Sequence, residues 1–135
     1  MLGEAQLAGP HAVRVGSRTL DTKFVLLCTG SRPAVPPIEG LAETGYLTSE
    51  NIFELENVPS SFVVVGGGPI AVELAQGLNR LGAEVQLLEA LPRILAREEP
   101  KLSDTLTGVL EREGVRIALG ARALSASRVK APAKW

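Results

Sequence analysis

Cysteine is almost missing from this sequence, and its scarcity closes several routes at once. One thiol, Cys28, stands among 135 residues. It allows neither an internal disulfide nor a CxxC redox pair, nor a zinc site built of cysteines. An excess of one charge is missing too. Fourteen basic and fifteen acidic side chains leave a net charge of -1, which argues against a nucleic-acid or anionic-membrane partner held by bulk charge. No apolar run approaches the roughly 18–20 residues that a bilayer span needs. The opening MLGEAQLAGP lacks the charged-then-apolar order of a secretory leader. A cytoplasmic setting is the resulting expectation. Histidine occurs once, as His11 in a Gly-Pro-His turn, and is read as an exposed imidazole.

What is present is an ordinary globular balance, 45% hydrophobic and 21% charged, enough for one domain or parts of two. Glycine and proline divide it. Gly3–Leu7, Ala12–Val15 and Lys23–Cys28 read as short strands separated by Gly9-Pro10 and Gly16-Ser17. The run FVLLC is apolar on both faces and is expected to be buried, Cys28 with it as an inert thiol. Residues 35–60 hold Pro36, Pro37, Gly40, Gly45 and Pro59 and read as a stiff connection, with a short helix over Ser49–Leu55 capped by Thr48 or Ser49.

From Ser61 the pattern changes. The β-branched run FVVV suits a strand buried on both faces. Ile70, Leu74, Leu78 and Leu81 then recur at helical spacing, with Pro69 at the first turn and Gly82 as the stop. Glu84–Leu88 reads as a second strand with Glu89 at its end. Pro100–Glu113 reads as a second helix, presenting Leu102, Leu106, Val109 and Leu110, and Gly114 stops it. Val115–Leu119 reads as a third strand. This order predicts an α/β fold, half of a Rossmann-type parallel sheet (β-α-β-α-β) preceded by a small β-meander. The predicted divisions are 1–34, 35–60, 61–124 and an irregular tail, 125–135.

Gly66-Gly67-Gly68-Pro69-Ile70-Ala71 fits G-x-G-x-x-A, and Glu89 follows Gly66 by 23 residues, near the roughly 20 expected for a dinucleotide fold. A lone glycine turn says little. A strand before it, a helix after it and an acid ending the next strand are the context that the chemistry needs. Gly66 permits the tight turn, and Gly68, lacking Cβ, lets a pyrophosphate approach the backbone. Ala71 is small enough for close helix packing. The helix N-terminus then faces the phosphates, and Glu89 accepts hydrogen bonds from ribose hydroxyls. Arg93, Arg97 and Lys101 read as a solvated charged loop. Glu73 fits either a site residue or a solvent-facing acid of the first helical turns.

Four segments, KFVLLCTGSRPAVPPIEGL, YLTSENIFELENVPSSFVVVGGGPIAVELAQ, RLGAEVQLLEALPRIL and EPKLSDTLTGVLEREGVRI, resemble the FAD-dependent pyridine nucleotide-disulfide oxidoreductases over about residues 2–124. The likeness is greatest to mercuric reductase and dihydrolipoamide dehydrogenase. The resemblance implies that the meander is a remnant of an FAD domain and that Thr29, Gly30 and Ser31 form a turn contacting FAD. It implies that Gly66, Gly67, Gly68, Pro69, Ile70, Ala71 and Glu73 form the loop and helix start for NAD, with Glu73 toward the nicotinamide. Glu89 would bind ribose, and Ala123 would touch the adenosine. It further implies a homodimeric parent that passes hydride between a nicotinamide and FAD. This chain has no earlier glycine fingerprint, Cys-x4-Cys pair, Gly-Asp flavin motif or His-Glu pair, so a piece of a longer enzyme is expected. Such a piece is expected to be inactive alone and prone to self-association. A dinucleotide-binding module without turnover and a fragment that folds only in part are the alternative readings.

Overall fold

The computed structural model describes residues 2–129. The described residues fall into two compact units that divide between Arg32 and Pro33. The first is an antiparallel meander of β1 (Ala5–Gly9), β2 (Ala12–Val15) and β3 (Arg18–Asp21). Val15 pairs directly with Arg18, so Gly16-Ser17 is a two-residue hairpin loop, and Gly16 supplies its left-handed φ of 59°. This moves the third strand earlier than the sequence reading put it. Lys23–Cys28 is not a strand. Phe24 is 79% and Leu26 87% exposed, and Cys28 is exposed rather than buried. An apolar run stays buried only where a ladder and two packed faces receive it, and no described strand pairs with this one.

The second unit opens with the short helix α1 (Leu41–Thr44), which the sequence reading missed. The helix expected over Ser49–Leu55 shrinks to one 3-10 turn, Ile52–Glu54, with no side-chain cap. A parallel sheet then follows in the expected order: β4 (Ser61–Val65), α2 (Pro69–Arg80), β5 (Glu84–Glu89), α3 (Pro100–Glu113) and β6 (Arg116–Leu119), with β5 central. Glu39 forms a parallel bridge with Ser125, so the start of the expected tail is tied to the connection. Lys130–Trp135 lie outside the described residues.

Register explains which face is dry. Phe62 pairs with Val85, and Val64 with Leu87, which in turn pairs with Ile117. These rows meet Val72, Ala75 and Leu78 of α2 and Leu110 of α3 in one core, in which Val85, Leu87 and Leu110 are 0% exposed. The alternate residues Val63 and Val65 are exposed, so both helices cover the same face, as two right-handed crossovers require. The buried stripe of α2 departs from the one read in the sequence. Ile70 and Leu81 are exposed, and the smaller Val72 and Ala75 face the sheet because they let the helix lie close to it. On α3, Leu102 is exposed and Ser103 is buried in its place.

The far ends of α2 and α3 are clasped. Arg80 donates from two guanidinium nitrogens to Glu113, at 2.8 and 2.6 Å, and Gln76 donates to the same carboxylate. Asn79 donates to the Glu113 carbonyl at 2.7 Å. The hydrogen bond from Arg80 holds the Glu113 carboxyl below the usual carboxylate range, against a smaller opposing effect of desolvation.

Candidate functional site

The two-residue period of β5 delivers Glu89. Leu87 points into the core, so Glu89 leaves the strand on the same helix-covered face, at the end where the chain turns out of β4. Its carboxylate meets two backbone donors there. Gly67 N–H donates to Oε2 at 2.5 Å, and Leu91 N–H to Oε1 at 2.7 Å. A carboxylate offers about four acceptor sites. Both oxygens therefore keep capacity for hydroxyl donors.

The turn itself is ordered by three different requirements. Gly66 has φ 107°, closed to most side chains, and its N–H donates to Leu88 C=O at 2.8 Å. Gly67 is buried, and a Cβ there would stand 2.8 Å from Glu89 Oε2 and 3.1 Å from Ile94 Cγ2. Gly68 is extended at the N-cap of α2, and a Cβ on it would meet nothing within 4 Å. Open space therefore lies where an anion would come closest. Val72 N–H makes the first helical bond, to Gly68 C=O at 3.0 Å, whereas the N–H groups of Gly68, Ile70 and Ala71 have no acceptor among the described residues. Those donors and the positive end of the helix dipole favour a phosphate.

The loop after β5 closes the arrangement. Ile94 is fully buried, and its carbonyl accepts a 2.7 Å hydrogen bond from the buried Ser103 hydroxyl. Leu95 N–H donates to Gly67 C=O at 2.7 Å. Leu95 has φ 48°, a left-handed conformation that costs a non-glycine residue roughly 1–3 kcal/mol. Gly120 and Ala121 donate to Leu91 and Glu89 carbonyls at 3.0 and 2.9 Å, which lays the segment leading to the half-buried Ala123 along the same edge.

The structure thus brings together Gly66, Gly67, Gly68, Pro69, Glu89 and the approach to Ala123. Ile70 and Glu73 are exposed on the first turns of α2, and Ala71 is half-buried. Arg97 and Lys101 are exposed and Arg93 half-buried, and none forms a salt bridge among the described residues. Thr29, Gly30 and Ser31 lie in the first unit, all exposed, with Gly30 at φ 75°. Sequence reasoning overlooked Leu95, Ser103 and the purpose of Gly67. The signal for Ser103 was available, since Ser103, Leu106 and Leu110 lie 3 and 4 apart on one helix face.

The antiparallel meander and the parallel sheet with its glycine turn define an α/β fold of the flavoprotein type. The family model for pyridine nucleotide-disulphide oxidoreductases matches residues 1–131, and the chain belongs to that family. It is 35% identical to mercuric reductase of Bacillus cereus over 119 residues, 88% of this chain and 19% of that protein. It is 36% identical to dihydrolipoyl dehydrogenase of Mycoplasma pneumoniae over 131 residues, 94% of this chain and 29% of that one. The Cu(II) complex of the HOCl-induced flavoprotein disulfide reductase RclA from Escherichia coli superposes with a TM-score of 0.78 at 30% identity, covering 95% of this chain and 30% of that one. The chain therefore spans less than a third of the length of these relatives. Among the described residues, no helix is long and apolar enough to cross a membrane.

Proposed function

We propose that residues 61–124 bind the nicotinamide dinucleotide of a cytoplasmic, homodimeric flavin-dependent oxidoreductase, and that the remnant before them contributes one edge of its FAD site. The observation that carries this reading is the Glu89 carboxylate seated beneath the glycine turn, with the unpaired N–H groups of Gly68, Ile70 and Ala71 beside it. These groups fit a dinucleotide: donors for the pyrophosphate, acceptors for ribose hydroxyls, and room for close approach at Gly68. Thr29 to Ser31 fit FAD only as a single exposed turn.

A nicotinamide held there would supply the hydride that reduces a flavin in the service of a disulfide or metal-ion acceptor. The residues of this chain bind and orient. The α2 N-terminus takes the negative phosphates, Glu89 fixes the adenosine ribose, and Glu73 stands on the helix face leading away from the turn. With a single cysteine in the chain, no disulfide acceptor lies within it. That fact favours a second reading, a dinucleotide-binding module without turnover of its own.

Glu89 also sets a preference for NADH. A 2′-phosphate would be a like charge beside the carboxylate, at a cost on the order of 1–4 kcal/mol at about 4 Å, and so roughly tenfold or more in affinity. Fluorescence titration of the purified chain with both cofactors tests this, with Glu89→Ala as control. Tighter NADH binding that levels out in the variant is expected. Absence of NADH binding would sink the reading, and equal affinities in the wild type would sink the preference.

A further inference from the structure

Resting on the dinucleotide reading, we infer that Ser103, on α3 and outside the glycine turn, is a positioning residue that holds that turn through the strained residue Leu95.

Four observations form the chain of contact. The Ser103 hydroxyl is buried and donates to Ile94 C=O at 2.7 Å. Ile94 is 0% exposed and packs beside Gly67, close enough that a Cβ there would meet its Cγ2. The next residue, Leu95, is the one non-glycine residue with positive φ among those described. Its N–H is spent on Gly67 C=O. A left-handed leucine persists only where its surroundings determine it more strongly than its own preference. Its φ is set by the peptide plane on its N-terminal side, and the carbonyl of that plane is the acceptor for Ser103. Removing the hydroxyl frees this carbonyl, the turn can relax toward ordinary φ, and the Leu95–Gly67 bond is lost with it. Gly67 N–H is in turn the donor that seats Glu89. The serine thus acts on ribose recognition without touching ribose. A purely apolar helix face at this position would pack as well but would leave Ile94 C=O unpaired in the core.

The experiment uses the full chain as wild type, Ser103→Ala, Leu95→Gly and the double variant, with two readouts. The first is amide hydrogen exchange without ligand. Ser103→Ala is expected to speed exchange at Gly67, Leu91 and Leu95 about tenfold, the size of one lost neutral hydrogen bond. Ala83 and Val115, whose N–H groups bond to Leu78 and Leu110 at the other end of the helices, should keep their protection. The second is NADH affinity, expected to fall several-fold in Ser103→Ala and to be largely restored by Leu95→Gly in the same chain. Glycine adopts the left-handed turn without needing to be held. A uniform rise in exchange, no local change, or no rescue by Leu95→Gly would each overturn the inference. A wild-type chain that fails to bind NADH would refute the dinucleotide reading instead, and the exchange pattern would still decide whether Ser103 holds the turn.

Discussion

Three successive glycines allow three separate roles to be told apart by one substitution, alanine, made in turn at each position. At Gly67 the new Cβ would lie 2.8 Å from Glu89 Oε2, 3.0 Å from Glu89 Cγ and 3.1 Å from Ile94 Cγ2. Ile94 is sealed in the core, so Glu89 is the group that must move. Its departure breaks the Gly67 hydrogen bond. A hydrogen bond to a charged group is worth roughly 1.5–3 kcal/mol, and the residual crowding of Ile94 adds about 1 kcal/mol or more. Loss of chain entropy in the unfolded state returns about 0.4–1 kcal/mol, leaving a net cost of roughly 2–4 kcal/mol. At Gly66 nothing lies within 4 Å of the added Cβ, but φ is 107°, so the cost comes from the backbone alone, roughly 1–3 kcal/mol. At Gly68, φ is -74° and the space is open, so Gly68→Ala is expected to be neutral or slightly stabilising for the fold. It should still weaken NADH binding, because the methyl group occupies the space available to phosphate. Urea denaturation with NADH titration on each variant supplies both numbers. Gly67→Ala as stable as wild type, or Gly68→Ala destabilised as much as Gly67→Ala, would refute this division of labour.

Two further outcomes follow from the packing. The folded Glu113 carboxyl is held below its usual range by Arg80, so the clasp stabilises above the unfolded-state value and loses that contribution as pH falls through the lower, folded value. Thermal melts from neutral pH down into the acid range should show this loss, and Arg80→Ala should flatten the profile there; identical profiles would refute it. The sheet face bearing Val63 and Val65, and the segment bearing Phe24, Leu26 and Leu27, are exposed apolar surface. At about 25 cal/mol per Å² a few hundred Å² forfeits roughly 5–10 kcal/mol, so sedimentation should show self-association. A compact monomer whose melting does not change with concentration would contradict that.

The parallel sheet was legible because its signals are local. Proline at the first turn of both helices, glycine at 82 and 114, and a β-branched run before a glycine turn each act over a few residues. Glu89 was legible because strand period and offset agree. The buried stripe of α2 was misread because ranking by size favours Ile70 and Leu81, whereas a helix lying close on a sheet buries Val72 and Ala75. The meander's third strand, RTLD, carries no alternation to find. Only the two-residue spacing of Gly16-Ser17 reveals it. FVLLC was read by composition, and composition says what a segment would bury without saying that a partner is there. Leu95 and Ser103 were illegible as a pair, since a left-handed leucine and the hydroxyl that holds it meet only once the loop has folded.

The Glu113 clasp has a mechanical meaning. Arg80, Gln76 and Asn79 bind the last turn of α2 to the last turn of α3, and α2 runs twelve residues from there back to the glycine turn, about 18 Å of helix. Ser103, bonded to Ile94, and Leu95, bonded to Gly67, tie the opposite ends as well, so the helix pair is braced at both ends. An anion arriving at Gly68 would therefore meet donors already held in place, with little of the chain left to order.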